Sequence, residues 1–257
     1  MAVRFDVITL FPELFAPFQT VGVTRRAFES RAVDVHLWPL RDHAEGVYRR
    51  VDDRPFGGGP GMVMLVEPLV RALQAIRADQ QAAGGERLPV ILFSPAGRPL
   101  TQSRVQALAQ SAGAVLLCGR YEGVDQRFID AYVDEEISLG DYVLSGGELP
   151  ALTLMDAVAR LQPGVLHDAA SHEQDSFSDG LLDCPHYSRP EMLTLPEGQE
   201  MGVPSVLMSG HHAHIARWRR EQQLAITARR RPELIEAARA RGELSKQDEH
   251  FLSNLPL

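Results

Sequence analysis

Residues 138–150, SLGDYVLSGGELP, hold three glycines and a proline ahead of an apolar run with helical spacing. Glycine-rich turns bring backbone N–H groups close to a ligand. This one has neither the Gly-Lys-Ser/Thr ending of a phosphate loop nor the G-x-G-x-x-G spacing of a dinucleotide site. Two similar loops, SPAGRPL (94–100) and GRYEGVD (119–125), also follow apolar runs. If all three lie at the carboxyl ends of neighbouring strands, they enclose a pocket made largely of main chain. Such a pocket suits a ligand with an apolar or aromatic body and a few polar edges. Any one loop alone reads as an ordinary strand-to-helix turn; three together favour a site. A second glycine cluster, VDDRPFGGGPGMVM (51–64), opens with Asp52, Asp53 and Arg54. It lacks the lysine and hydroxyl of a phosphate loop, and its acids either meet Mg²⁺ or are solvated at a turn. Further on, Asp168, Asp175, Asp179 and Asp183, with His167, His172 and His186, are all candidate general bases. His211, His212 and His214 lie close together but contain no helical i, i+4 pair and no nearby carboxylate, so no zinc site is expected there.

The elements that must carry these loops are legible as periodicity. Apolar runs at 3–11, 33–38, 89–94, 114–118 and 135–139 read as strands, and 67–76, 103–110 and 151–161 as helices. Alternating strands and helices with short connections imply an α/β fold with a largely parallel sheet covered on both faces. From about residue 162 the chain turns polar and loses periodicity, as expected of a linker or functional loop. Beyond it, 211–228, 232–241 and 245–254 read as helices, with Pro232 suited to a first turn. The expected division is a sheet domain over 1–166, a linker or catalytic loop over 167–184 and a small, mainly helical domain over 185–257.

Bulk properties bound the class. The chain has 257 residues, 44% of them hydrophobic, enough to bury a sizeable core. No apolar run approaches the roughly 20 residues of a membrane span, and no basic-then-apolar leader opens the chain, so a soluble cytoplasmic protein is expected. Cys118 and Cys184 lack metal-site spacing. The net charge is −8, yet residues 217–241 hold eight arginines against three glutamates. That segment is the candidate surface for a polyanion.

LFPELF, VDDRPFGGGPGM, CGRYEGVDQR, EEISLGDYVLSGGELPALTLMDAVAR, EQDSFSDGLLDCPHYSRPE and VLMSGHHAHIARWRR follow one another from residue 4 to roughly 235. In this order they closely resemble the bacterial tRNA (guanine-N1)-methyltransferases of the SPOUT superfamily. The resemblance implies a parallel sheet with a deep trefoil knot, which sequence rules alone would reject. It implies that the 138–150 loop wraps S-adenosylmethionine (AdoMet). The matching cofactor positions are Ser94, Pro95, Gly119, Tyr121, Glu122, Ile137, Ser138, Leu139, Gly140, Asp141, Tyr142, Val143, Leu144, Gly146, Gly147 and Pro150. The general base falls on Asp175, the charge-stabilising arginine on Arg160, with Asp183 in support. Asp52, Gly61, Arg217, Arg219 and Arg220 are the expected tRNA contacts, and the three histidines a cap or an RNA-facing surface. No protein metal site is implied, although Mg²⁺ dependence is associated with the family and Glu122 is the residue to examine for it. The implied substrate is guanine 37 of tRNA, preferably after another guanine, and the implied assembly a homodimer with shared active sites. The rival readings are a SPOUT enzyme acting on ribose 2′-oxygen or ribosomal RNA, and a catalytically silent RNA-binding module.

Overall fold

A computed structural model describes residues 2–166 and 174–256 of the chain. Its contacts divide into two units, residues 1–169 and 170–257. In the first, β1 (Val3–Thr9), α1 (Phe15–Thr20), α2 (Arg25–Glu29) and β2 (Val33–Pro39) come first. A short antiparallel pair, β3 (Asp52–Asp53) and β4 (Val63–Met64), then brackets the second glycine cluster. There follow α3 (Val66–Ala82), β5 (Val90–Pro99), α4 (Gln102–Ala109), β6 (Gly113–Leu117), α5 (Gln126–Tyr132), β7 (Glu135–Ser138) and α6 (Glu148–Ala159).

Five strands form one parallel sheet in the order β2-β1-β6-β5-β7. Its strands are near-continuous apolar runs because both faces are covered. Alternate residues point to opposite sides. Phe5, Val7 and Leu116 meet Leu154, Met155 and Val158 of α6 on one face; Ile8, Val115 and Leu117 meet Leu69, Leu73 and Ile76 of α3 on the other. The one fully buried carboxylate in β1, Asp6, accepts hydrogen bonds from Arg4, Trp38 and Gln80 at 2.8–2.9 Å.

The five expected strands and three expected helices are present, with boundaries moved by a few residues and α3 and α6 longer than their apolar patterns. The main departure is in β5. Ile137 of β7 opposes both Phe93 and Arg98, so Ser94–Gly97 leave the sheet and the strand resumes beyond them. SPAGRPL is thus an insertion within a strand, not a turn after one. Gly97 is required where the chain returns, since a Cβ there would lie 2.5 Å from backbone atoms of Glu136 and Ile137.

The second unit begins its regular structure with a hairpin, β8 (Met192–Thr194) and β9 (Glu200–Gly202), which helical patterning did not foreshadow. It continues with α7 (Ser205–Met208), α8 (His212–Arg230), α9 (Pro232–Ala240) and α10 (Lys246–Ser253). Leu181, Leu224, Ile235 and Ala238 form its small core. Pro232 starts α9, and a Ser245–Asp248 capping box starts α10.

Candidate functional site

Because β6, β5 and β7 are neighbours, the insertion at 94–97 and the loops after β6 and β7 converge. They enclose a cavity of about 500 Å³ within the first unit. Of the sixteen positions carried over for the cofactor, fifteen line it; Asp141 does not. Residues that sequence reasoning passed over, among them Arg120, Val124, Gln126 and Ile129, line it as well.

The loop after β7 is held by its own main chain. Gly140 N–H donates to Ser138 Oγ at 3.1 Å, and Tyr142 N–H to the Gly140 carbonyl at 2.9 Å. Gly140 has φ +142°, a backbone conformation that side-chain-bearing residues rarely adopt. At the far end Gly147 N–H donates to the Gly119 carbonyl at 2.9 Å, closing this loop onto the one after β6. Its approach leaves no room for a side chain, since a Cβ would lie 2.6 Å from Cys118 Cα. A Cβ on Gly146 would collide with Nε of the Arg120 guanidinium.

That guanidinium organises the floor of the cavity. Arg120 Nε donates to Glu148 Oε2 at 2.8 Å, Nη1 donates to the Ser145 carbonyl at 3.1 Å, and the group lies 4.5 Å from the Phe11 ring centroid. Glu148 is 1% exposed, and its other oxygen accepts from Thr9 Oγ1 at 2.9 Å. A buried carboxylate is tolerated only with such partners. Glu148 therefore ties the ends of β1 and β6 to the start of α6.

The second glycine cluster joins this site, which its separation in sequence by more than fifty residues concealed. Met64 N–H donates to the Gly123 carbonyl and Glu122 N–H to the Met62 carbonyl, both at 2.9 Å. Gly61, at φ +81°, packs under Glu122, whose carboxylate occupies the space a Cβ would need. Tyr121 has φ +61°; burial, followed by the Asp52 carboxylate, pushes its phenol above the ordinary range. So Asp52, Gly61, Tyr121 and Glu122 form one edge of the cavity region. Asp53 is exposed; the Arg54 N–H, then Arg50, hold its carboxyl below the usual range.

Arg160 follows α6 and is half-buried. Asp175 and Asp183 belong to the second unit, in a segment more regular than its polar composition suggested. Phe177 N–H donates to the Leu181 carbonyl at 2.6 Å and Asp183 N–H to Ser176 Oγ at 2.9 Å. Leu181 is fully buried, and Leu182 N–H donates to Thr227 Oγ1 at 3.0 Å. One apolar anchor and a few turn hydrogen bonds thus order what aperiodicity reads as a linker. Asp179 is taken up by Arg220 and Gln223. Asp183 meets His186 Nε2 at 2.8 Å and accepts from Cys184 N–H at 2.6 Å. One ligand atom from each of these three lies within 4.8 Å of the others. Burial, then Asp183, raises the Cys184 thiol above its usual range. The candidate bases His167, Asp168 and His172 lie outside the described residues.

The expected tRNA-facing arginines differ among themselves. Arg217 binds Glu221 at 2.8 Å and Asp248 at 3.2 Å; Arg220 binds Asp179 at 2.8 Å and Asp248 at 3.4 Å. Both tie α8 to other parts of the second unit. Arg219 has no ion-pair partner among the described residues and lines a separate cleft. His211 precedes α8 but its side chain makes no cap hydrogen bond; its ring stacks on His214 at 3.9 Å.

A family profile described as tRNA (guanine-1)-methyltransferase TrmD matches residues 3–237. The chain is 75% identical to a tRNA (guanine-N1)-methyltransferase of Methylibium petroleiphilum, over 98% of each chain. It is 71% identical to one of Leptothrix cholodnii, over 99% of this chain and all of that one. Among solved structures it resembles the tRNA (m1G37) methyltransferase of Aquifex aeolicus, with a TM-score of 0.70 and 36% identity over 93% of this chain and 97% of that one. A main-chain cavity at the ends of three adjacent parallel strands and matches over nearly the whole length agree: the chain belongs to the tRNA (guanine-N1)-methyltransferase family.

Proposed function

We propose that this protein transfers a methyl group from AdoMet to N1 of guanine 37 in tRNA, favouring a guanine at position 36. The observation that carries the reading is the 500 Å³ cavity walled by glycine main chain. Gly119, Gly140, Gly146 and Gly147 line it together with Phe93, Ile129, Ile137 and Leu144, so main chain and apolar side chains meet there, a lining suited to an adenine and its ribose. Gly119, Leu139, Gly140 and Tyr142–Leu144 are the proposed cofactor contacts, with Asp141 outside the lining. The loop that carries them is the one we assign to the trefoil knot. AdoMet, when bound, supplies an electrophilic methyl group. The chain's own residues must make guanine N1 nucleophilic: Asp175 takes the N1 proton, Arg160 meets the negative charge that grows on O6, and Asp183 supports Asp175. A target base reaches such a pocket only when extruded from its stack.

We assign residues 1–166 to cofactor binding, 167–184 to the catalytic linker and 185–257 to tRNA, and we place the enzyme in the cytoplasm. Asp52 and Gly61 contact the tRNA near the anticodon, and Mg²⁺ takes part, with Glu122 the carboxylate offered for it. Two copies share sites, the linker of one completing the cavity of the other. Val47, Tyr48 and Phe56, each at least 87% exposed, support an apolar interface on the first unit. The test is nucleoside mass spectrometry after incubation with AdoMet and an unmodified tRNA bearing guanines 36 and 37. 1-Methylguanosine is expected, and it should vanish when guanine 37 is replaced. A 2′-O-methyl product, or product from ribosomal RNA alone, refutes the reading. Absence of AdoMet binding by calorimetry would leave an RNA-binding module.

A further inference from the structure

Within the second unit, residues 185–191 and α8 border a cleft of about 910 Å³. Tyr187 and Trp218 meet there, with ring centroids 6.2 Å apart and planes inclined by 57°. Tyr187 and Met208, also in the lining, are each 49% exposed. Arg189 and Arg219 line the same space, and neither makes an ion pair or side-chain hydrogen bond among the described residues. This separates Arg219 from Arg217 and Arg220, one helical turn or less away, whose charges are answered by Asp248, Glu221 and Asp179. One carboxylate, Glu191, shares the cleft, so two guanidinium groups face one acid.

An exposed tyrosine packed on a half-buried tryptophan, beside unanswered guanidinium groups, supplies the two features a single-stranded nucleotide requires: a surface on which a base stacks, and cations for its phosphate. A double helix offers no free base face, so a paired stem cannot use the aromatic half of this cleft. We infer that the cleft holds one unstacked nucleotide of the bound tRNA, its base against Trp218 and Tyr187 and its phosphate at Arg189 and Arg219. The inference rests on tRNA being the substrate. It assigns a second contact, on the second unit, distinct from the cavity proposed for the methylated base. Glu191 is placed to accept hydrogen bonds from a ribose hydroxyl or a base amino edge.

Filter binding of an unmodified tRNA transcript to the full-length protein, over a range of salt concentrations, tests it. Tyr187→Ala and Trp218→Ala should each weaken binding by roughly 5- to 150-fold, the range seen for single stacking contacts. Tyr187→Phe and Trp218→Phe should recover most of the loss, because a π-face remains. Arg189→Gln combined with Arg219→Gln, which removes both cations from the one phosphate, should reduce the magnitude of the log K against log salt slope by roughly 0.7. Arg239→Gln, which removes a guanidinium already paired with Glu249, should leave the slope unchanged. AdoMet affinity by calorimetry should be the same in every variant. If the alanine variants do not fold, the phenylalanine and glutamine variants decide the matter. Wild-type tRNA affinity and slope in the arginine double variant would overturn the inference. So would a change in sedimentation without a change in tRNA affinity, which would make the cleft a protein–protein contact. A wild-type enzyme that binds tRNA but leaves guanine 37 unmethylated would refute the proposed reaction while leaving this site standing.

Discussion

Gly147→Ala is the most local perturbation available to the cofactor loop. Gly147 has an ordinary φ of −82°, so alanine carries no conformational penalty there and any cost is steric. The added Cβ would sit 2.6 Å from Cys118 Cα and 2.9 Å from Gly119 N. Both are backbone atoms at the end of a buried strand and cannot rotate away. The loop must lift, and lifting breaks the 2.9 Å bond from Gly147 N–H to the Gly119 carbonyl. Overpacking costs about 1–3 kcal/mol and a net hydrogen bond about 0.5–1.5 kcal/mol. Together they predict a loss of about 2–4 kcal/mol, a fall in melting temperature of roughly 4–16 °C for a unit of this size. The matched control is Gly119→Ala, whose Cβ would meet only Leu92 and Val124 at 3.6–3.7 Å while facing the cavity. It should melt close to wild type yet bind AdoMet more weakly, because its methyl group occupies ligand space. Scanning calorimetry with and without AdoMet reads both. A Gly147→Ala protein melting within about 1 °C of wild type would refute the steric argument. A Gly119→Ala protein with unchanged AdoMet affinity would remove the loop after β6 from the cofactor site.

Arg120→Ala leaves Glu148 as an uncompensated buried carboxylate and should cost about 3–5 kcal/mol in denaturant titration; a loss below 1 kcal/mol would show that the pair does not organise the floor. Asp248 is pulled up by burial but held below the usual carboxylate range by its Ser245 hydrogen bonds and by Arg220. A depressed folded-state pKa contributes stability that is complete above about pH 4 and fades as pH falls through the folded value. Asp248→Asn should therefore melt lower at pH 7, with the difference shrinking under acid; a constant difference from pH 7 to 2 would exclude this linkage. Asp175→Asn should slow single-turnover methyl transfer by about 10²–10⁴-fold with AdoMet and tRNA affinities held, and full activity would shift attention to Asp183. Mixing Asp175→Asn with Arg160→Ala protomers should restore up to half the activity per mixed dimer if sites are shared, and none if they are not.

The sheet was legible because buried parallel strands are written as unbroken apolar runs, and α3, α4 and α6 because each carries an apolar stripe. What escaped has a common cause. β3 and β4 are two residues each, and their meaning lies in contacts across more than fifty residues that no local pattern encodes. The 94–97 insertion reads as a turn because its strand resumes on only Arg98 and Pro99. Arg120 lies inside a motif quoted for its glycines and was passed over. Glu148 gave no signal for it, since an acid in the first turn of a helix is ordinary; only its burial, visible in the structure, shows that it needs a cation. Asp175 could not be told from Asp179 or Asp183 by composition, and the selection came from resemblance. The structure does separate Asp179, committed to Arg220, but assigns no proton transfer to the other two.

The arginine-rich segment shows why counting charge overstates affinity for a polyanion. Of its eight arginines, Arg217, Arg220, Arg231, Arg239 and Arg241 are each paired with a carboxylate. The last three pairs are exposed and worth little to stability, but each places an acid beside its guanidinium and so lowers the net charge offered to a phosphate. Arg217 and Arg220 are different. Their partner Asp248 has a side chain only 7% exposed, and drawing either guanidinium away would leave that carboxylate with less compensation in a poorly solvated place. They act first as ties between α8 and α10, and mutating them confounds RNA affinity with stability. Among the described residues Arg219, Arg229 and Arg230 have no such ties, and of the three Arg219 lines the cleft beside Trp218. The physical footprint for tRNA on this segment is therefore narrower than eight positive charges suggest. The proposed nucleotide cleft centres it where an unpaired cation and an aromatic face coincide.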